Sequence, residues 1–157
     1  MTFNPNTQPK RAYLAAPYVA RDWVRAQASA LDSVGWVSSS SWAYETHEIS
    51  AGTIDTAPQR SAEQVRKHVD MDLEDVARSH ALVLFTENYL RKHIETDLPM
   101  TSGGRHIETG YAMCLGLDIV VVGEPENIFH RGGAYTQIVE DWDEALWLLS
   151  TLGKGVE

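Results

Sequence analysis

Cysteine is scarce in this chain: Cys114 is the one thiol in 157 residues, so an internal disulfide is excluded. A chain without disulfides is typical of a reducing compartment, and we expect a cytoplasmic protein. Cys114 falls at a helical position among apolar neighbours, which predicts a buried, unreactive side chain. The six histidines form neither a His-Glu-x-x-His motif nor a cluster with cysteine, so we expect no metal and no other cofactor.

Positive charge is also sparse. The chain has 13 Lys and Arg against 22 Asp and Glu, a formal net charge of −9. This balance argues against a nucleic-acid polymer or a membrane as partner, although a helix N-terminus can still bind a small anion. No stretch reaches the roughly 18 apolar residues of a membrane span. We expect a disordered lead-in over residues 1–10, a single domain over 11–152 and a short tail over 153–157.

Short apolar runs alternate with helical patterns along the chain. Strands are predicted at 12–16, 36–38, 81–85, 118–122 and 136–139. The first helix is predicted to bury one face, formed by Val19, Trp23, Ala26, Ala30 and Val34. The second begins at Ser61, with Gln64 completing a capping box. Because no hairpin signal separates the strands, the pattern predicts an α/β fold: one open parallel sheet of about five strands with helices on both faces.

Two long connections, 39–60 and 87–103, both follow strands. They therefore lie at the carboxyl edge of the predicted sheet, where this class of fold binds its ligands. The second one ends in a glycine turn, Ser102-Gly103-Gly104, that opens a helix. Glu108 lies about one turn inside that helix and is predicted to face whatever the turn admits. A carboxylate in this position is a candidate nucleophile or base.

Asp72 is the second candidate. It shares a helix face with Val65, Val69 and Val76, and a carboxylate within an apolar stripe is costly unless it is paired or used. The alternative is that Asp72 lies at the edge of the stripe, in contact with water. Two carboxylates at one site can divide the work of breaking a glycosidic bond, one as nucleophile and the other as proton donor.

Three segments then occur in a particular order: YLAAPY from Tyr13, DLEDVARSHA from Asp72 and SGGRHIETGYA from Ser102. They resemble the signature blocks of the nucleoside 2-deoxyribosyltransferase family, which includes deoxynucleoside 5′-monophosphate N-glycosidases. The resemblance covers residues 11–150 and implies a flavodoxin- or Rossmann-like fold. It also implies that Glu108 attacks the anomeric carbon and holds a covalent deoxyribosyl group. Asp72 would then assist proton transfer at the base, and Tyr13 would hydrogen-bond near the nucleophile.

The resemblance also implies a substrate-binding set and a shared site. The expected binding residues are Ala16, Pro17, Tyr18, Trp42, Ser102, Gly103, Gly104, Arg105 and Asn127. Family members often build each site across a homodimer or larger homo-oligomer, and Asn127 occupies the position of the loop that a neighbour contributes. Two interpretations are open for four residues of the 39–60 connection, Trp42, Tyr44, Glu45 and Glu48. Either they stack on and hydrogen-bond the base, or the aromatic rings only hold the loop against the sheet.

This chain departs from the family pattern at two places. Ser79-His80 stands where Ala-Asp is common, and Arg105 stands near the position of a common threonine or valine. An arginine beside a helix N-terminus is a plausible phosphate anchor, which favours a nucleotide over a nucleoside. The alternative is an exposed arginine that pairs with a nearby acid.

The expected function is therefore cleavage of the N-glycosidic bond of a deoxynucleoside or its 5′-monophosphate, with transfer of deoxyribose to another base or to water. The rival hypothesis is a non-catalytic module of the same fold that binds or sequesters nucleotides, because a fold alone does not specify its function.

Overall fold

The computed structural model describes residues 8–45, 61–98, 100 and 103–152. Its five strands are β1 (Lys10–Ala15), β2 (Trp36–Ser38), β3 (Ala81–Phe85), β4 (Asp118–Val122) and β5 (Thr136–Val139). Its α-helices are α1 (Arg21–Ala28), α2 (Ala62–Ala77), α3 (Glu87–Leu90), α4 (Gly104–Leu115), α5 (Phe129–Gly132) and α6 (Trp142–Leu152). Short 3₁₀ helices occupy Tyr18–Ala20, Ser29–Val34 and Ser41–Tyr44.

The strands form one parallel sheet in the order β2-β1-β3-β4-β5. All five residues of β3 are buried, as expected for a central strand that is covered by helices on its faces. The predicted α/β fold is thus confirmed, and its strand order is that of flavodoxin-like sheets. The chain leaves β1 toward β2 and returns on the other side as β3, so the connections that follow β1 and β3 diverge and leave a crevice between them.

Two long helices pack on different parts of the sheet. Helix α4 packs on β1, β3 and β4 and also contacts α2. Helix α6 packs on β4 and β5 and contacts the 3₁₀ helix Ser29–Val34. The capping box predicted at the start of α2 is present: the Ser61 hydroxyl accepts from the Gln64 N–H, and the Gln64 side chain accepts from the Ser61 N–H.

The predicted inner face of the first helix was only partly right: Val19, Trp23 and Val34 pack half-buried against the core, whereas Ala26 is exposed. The buried residues are Ala20, Val24, Ala28 and Leu31. Trp23 lies at the edge of this stripe, where its ring meets Phe85 edge-on at a centroid distance of 5.0 Å. The segment is also not one continuous α-helix, since 3₁₀ turns precede and follow α1. Those turns shift the rotation of each side chain about the axis, which a uniform 3.6-residue period does not anticipate.

The prediction that Cys114 is buried was wrong, because this residue is exposed. The inward-facing residues of α4 are Arg105, Thr109 and Ala112, and Cys114 lies off that face. Its apolar neighbours in sequence do not share one side of the helix. At the N-terminus, β1 begins at Lys10, the last residue of the predicted disordered lead-in. Residues 1–7 and 153–157 lie outside the described residues. No helix within the described ranges is both long and apolar enough to cross a membrane.

Candidate active site

A cleft of about 270 Å³ lies at the carboxyl edge of the sheet. Residues that follow β1 and β2, one face of α2 and the first turns of α4 line it. They are Ala16, Tyr18, Trp42, Glu45, Val65, His68, Val69, Asp72, Gly104, Arg105 and Glu108. The cleft therefore brings together both predicted carboxylates, which are far apart in sequence, and it does so where parallel-sheet topology predicts a ligand site.

Tyr13 and Glu108 are in direct contact. The Tyr13 hydroxyl donates a 2.7 Å hydrogen bond to Oε1 of Glu108. Tyr13 lies on β1 and is fully buried, so the sheet holds its ring rigidly while its hydroxyl reaches α4. Burial, followed by the charges of Glu108 and Asp72, raises the pKa of Tyr13 well above its usual value. Tyr13 therefore remains a neutral hydrogen-bond donor at physiological pH.

The acidity of Glu108 reflects opposing effects. Burial raises the pKa of its carboxyl to about 7, against a usual 4.5. The Tyr13 hydrogen bond and the charge of Arg105 lower this pKa, whereas the charge of Asp72 raises it. A carboxyl that titrates near neutrality is ionised in part at pH 7 and is poorly solvated, which makes it more reactive than a surface glutamate.

Asp72 lies on the cleft wall formed by α2. Burial, followed by the charges of Glu45 and Asp75, raises the pKa of its carboxyl to about 7, and the charge of His68 limits this rise. Its Oδ1 is buried and has no hydrogen-bond partner among the described residues. Of the neighbours on its predicted stripe, only Val76 is in the core; Val65 and Val69 are half exposed and line the cleft. The apolar stripe is thus part of a binding surface.

Glu45 and His68 form a pair in the cleft that was not predicted from the sequence. Glu45 follows the 3₁₀ helix Ser41–Tyr44, and its Oε2 lies 3.3 Å from Nδ1 of His68 on α2. His68 precedes Asp72 by one helical turn, so the i, i+4 spacing was visible in the sequence. The contact of His68 with Glu45 was not visible in the sequence, because the geometry of the 39–60 connection has no periodic signal. Residues 46–60, including Glu48, lie outside the described residues.

The predicted aromatic residues of this region have separate roles. Trp42 is buried, lines the cleft and donates from Nε1 to the carbonyl of Leu14 at 3.1 Å, so it also pins the loop to β1. The Tyr18 ring lies 6.4 Å from the Trp42 ring and lines the same cleft. Tyr44 is exposed and its ring faces the Arg25 guanidinium. Trp42 therefore holds the loop against the sheet, as the second interpretation expected. Tyr18 and Trp42 both line the cleft, where their rings can contact a ligand.

The remaining predicted binding residues differ in where they lie relative to the cleft. Ala16 and Gly104 line the cleft directly, and Gly103 stands at the N-cap of α4. Pro17 is buried and starts the 3₁₀ turn Tyr18–Ala20. Asn127 is not among the residues that line this cleft, and its Oδ1 accepts from the N–H groups of Phe129 and His130. Ser102 lies outside the described residues.

Arg105 is buried and already paired. Its guanidinium forms an ion pair with Glu126 at 2.9 Å and donates to the carbonyl of Met100. It therefore ties the start of α4 to the segment before it and to the loop after β4. The alternative reading foresaw a pairing with an acid, but at an exposed site, whereas only 3% of this side chain is exposed. A direct contact with phosphate requires some of this pairing to be exchanged.

His106, Glu126 and His130 form the one group among the described residues with metal-ligating potential, their ligand atoms lying within 4.8 Å of one another. The surroundings disfavour a cation. Glu126 is paired with Arg105, and Nδ1 of His130 accepts from the Glu126 N–H. Burial and neighbouring positive charge, including that of Arg105, lower the pKa of both histidines, and the positive charge of Arg105 also repels a cation. We assign the group to the packing between α4 and the loop after β4.

Comparison with known proteins gives structural but no sequence matches. No family model matches the chain, and no curated protein matches it by sequence. Among solved structures, a CMP N-glycosidase from Clostridium botulinum, BcmB, aligns with it at 18% identity and a TM-score of 0.50. The alignment covers 90% of this chain and 99% of the other. At this level of identity the likeness shows a shared fold, and function must be argued from the site.

The geometry of the cleft defines what chemistry it supports. It holds two carboxyls of near-neutral pKa, a neutral phenol bonded to one of them, and a helix N-terminus that favours a negative group. One carboxyl that is ionised and one that is protonated is the combination required for nucleophilic attack with acid assistance.

Proposed function

We propose that the protein cleaves the N-glycosidic bond of a nucleotide, with Glu108 as the nucleophile and Asp72 as the proton donor. The observation that carries this proposal is the cleft geometry: Glu108 is bonded to Tyr13 and shares the cleft with Asp72, and both carboxyls titrate near neutrality. The fold that the chain shares with a CMP N-glycosidase supports it.

The reaction proceeds in two steps. A carboxylate oxygen of Glu108 forms a bond to the anomeric carbon as the bond from that carbon to the base nitrogen breaks. The electron pair leaves with the base, and Asp72 supplies the proton that neutralises it. Water, or the nitrogen of a second base, then attacks the same carbon and releases Glu108, while Asp72 takes the proton from the attacking group.

The sugar is proposed to be 2-deoxyribose, as the family resemblance implies. The structural neighbour is described as acting on CMP, which has a 2′-hydroxyl. Comparing dCMP with CMP therefore tests the sugar requirement directly. Faster base release from dCMP supports the deoxyribose assignment, and faster release from CMP contradicts it.

We further propose that the start of α4 binds a 5′-phosphate. Gly103 and Gly104 are exposed at the helix N-terminus, where backbone N–H groups and the helix dipole attract an anion. Arg105 adds positive charge behind this turn. Replacing Arg105 with Gln should raise KM for dCMP more than for deoxycytidine. Equal increases for both substrates would assign Arg105 to structure alone, through Glu126 and Met100.

We also propose that the functional unit is a homodimer. Three large apolar side chains near the site are exposed, Ile107 (68%), Ile128 (77%) and Phe129 (66%). They lie on α4 and after β4, two segments that meet where His106 contacts Glu126. An apolar surface of this kind, close to a cleft, is typical of a protein interface. In the dimer, the loop that carries Asn127 would reach the cleft of the partner subunit.

The test of the proposed function is turnover. The protein is incubated with each deoxynucleoside 5′-monophosphate, and free base is measured by chromatography. Base release that exceeds the enzyme concentration many times establishes catalysis, and its loss in Glu108→Ala with an unchanged unfolding midpoint assigns the nucleophile. Glu74→Gln, which alters an exposed carboxylate on α2, is the matched control. Stabilisation by ligand without base release would instead establish the non-catalytic binding module.

A further inference from the structure

Glu45 enters the cleft from a fixed backbone. Its N–H donates to the carbonyl of Trp42 at 3.3 Å, and its own carbonyl accepts from the Arg21 guanidinium at 2.9 Å. Arg21 in turn donates to the Tyr18 hydroxyl at 2.6 Å, which links Glu45 to an aromatic residue of the cleft. The backbone from which this carboxylate extends is therefore held by contacts with the rest of the domain.

The carboxylate of Glu45 is incompletely satisfied. Oε2 lies 3.3 Å from Nδ1 of His68, whereas Oε1 is buried and finds no hydrogen-bond donor among the described residues. A buried acceptor without a donor is costly, so a water molecule or a group of a bound ligand is expected to complete it. An ionised carboxylate only accepts hydrogen bonds, so the group that completes Glu45 must be a donor.

The surroundings identify which part of a nucleotide this donor belongs to. His68 lies one helical turn along α2 from Asp72, the residue assigned to the departing base, and the Glu45 carboxylate contacts His68. The rings of Tyr18 and Trp42 line the same region and offer surfaces on which a planar base packs. The sugar and phosphate are assigned to the Glu108 and Gly104 end. Glu45 therefore faces the nucleobase.

Building on the proposed function, we propose that Glu45 recognises an exocyclic amino group of the nucleobase and that His68 is the positioning residue for its carboxylate. The site then selects amino bases, such as cytosine and adenine, over their keto counterparts, uracil and hypoxanthine. An amino N–H is the donor that Oε1 lacks. A keto oxygen at the same place would set two acceptors against each other, which is strongly unfavourable in a partly buried cleft.

The simpler explanation is that Glu45 and His68 are only an ion pair that holds the loop after β2 against α2. The two explanations differ in one observable. A structural pair affects all substrates equally when it is removed, whereas a recognition pair changes the ratio between an amino substrate and its keto partner. The ratio also cancels any effect of Glu45 on the proton affinity of Asp72, because both substrates react in the same variant.

The experiment compares dCMP with dUMP, and dAMP with dIMP, in the wild-type protein and in Glu45→Gln. We expect wild-type kcat/KM to favour each amino substrate by about tenfold or more, since a hydrogen bond to a charged group contributes at least that factor. Glu45→Gln should reduce this ratio at least about tenfold, because its amide accepts from an amino group and donates to a keto oxygen equally well. His68→Gln should change the ratio in the same direction, and Glu63→Gln, an exposed carboxylate on α2, should leave it unchanged.

A binding measurement keeps this inference separate from the proposed chemistry. In Glu108→Gln, which cannot form the covalent intermediate, dCMP should raise the melting temperature more than dUMP does. Adding Glu45→Gln should abolish that difference. Base release with equal rates for amino and keto substrates, or equal thermal shifts that Glu45→Gln does not alter, would overturn the inference and leave the proposed function intact. Selective thermal shifts without any base release would overturn the proposed function and support the recognition role.

Discussion

The Tyr13 hydroxyl donates a 2.7 Å hydrogen bond to Glu108 across the gap between β1 and α4. The two residues are separated by most of the domain in sequence, and the parallel sheet brings them together. Tyr13 stabilises the ionised carboxylate, and burial opposes that ionisation. The balance leaves Glu108 with a pKa of about 7, where a carboxylate is both available and reactive.

The first prediction concerns this bond. Tyr13→Phe removes the donor that favours ionised Glu108, so the pKa of that carboxyl should rise further. We expect kcat/KM for base release at pH 7 to fall by about 10- to 100-fold, the value of a hydrogen bond to a charged group. The acid limb of the pH profile should move to higher pH. Tyr135→Phe, which alters an exposed tyrosine, is the control; an unmoved acid limb in Tyr13→Phe would contradict the assignment.

The second prediction links the site to stability. Between about pH 4.5 and pH 7 the folded protein retains the Glu108 proton that the unfolded chain has released. The free energy of unfolding therefore falls as the pH rises through this window. Each unit of pKa shift corresponds to about 1.4 kcal/mol, and partial exposure of the side chain reduces that value.

Glu108→Gln removes this penalty and keeps an acceptor for Tyr13. Urea unfolding at pH 8 should show the variant more stable than the wild type, by on the order of 1–2 kcal/mol. Below about pH 3.5 the two proteins should have the same stability, because Glu108 is then protonated in both folded and unfolded wild type. A difference that does not depend on pH would rule out titration of Glu108 as its source.

The third prediction concerns the turn after β4. Gly123 has φ 94°, and a Cβ there would lie 2.4 Å from Oγ1 of Thr86 and 2.7 Å from Cβ of Tyr89. Gly123→Ala should lower the free energy of unfolding by about 2–4 kcal/mol, since it adds overpacking to backbone strain.

Gly116 supplies the matched control for Gly123. Its φ is 70°, but a Cβ there meets nothing within 4 Å, so Gly116→Ala should cost only the backbone strain of about 1–2 kcal/mol. Urea unfolding of both variants gives the comparison. Equal losses would show that the contacts with Thr86 and Tyr89 do not limit this turn.

The fourth prediction tests the proposed homodimer. Sedimentation velocity of the wild type at micromolar concentration should show a dimer, and Phe129→Lys should convert it to a monomer. If Asn127 completes the site of the partner subunit, base release should fall together with the dimer fraction. Trp147→Lys changes an equally exposed aromatic residue on α6 and should leave the dimer intact. A monomeric wild type with full activity would contradict the shared site.

Much of the fold follows from local patterns in the sequence. The buried run of β3 and the capping box at Ser61 are local features, and both were predicted correctly. The inner face of α1 was not, because the 3₁₀ turns on both sides of the helix change its phase. Cys114 was misplaced for a related reason: apolar neighbours in sequence do not define a helix face.

The site was only partly predictable. Glu108 and Asp72 were found because a glycine turn and an apolar stripe mark their positions, and the structure places both in one cleft. The pairing of Glu45 with His68 and that of Arg105 with Glu126 join loops to helices. Such contacts depend on tertiary distances, and no sequence period encodes them.

The identity of the residue that carries the sugar decides whether Glu108 is the nucleophile. A slow substrate, a deoxynucleotide with an electron-withdrawing fluorine at C2′, is added, and the acid-quenched protein is digested for peptide mass spectrometry. We expect a glycosyl adduct on the peptide that contains Glu108. The adduct should be assigned to the Glu108 side chain and should be absent from Glu108→Gln. An adduct on a different residue, or wild-type rates of base release by folded Glu108→Gln, would contradict this expectation.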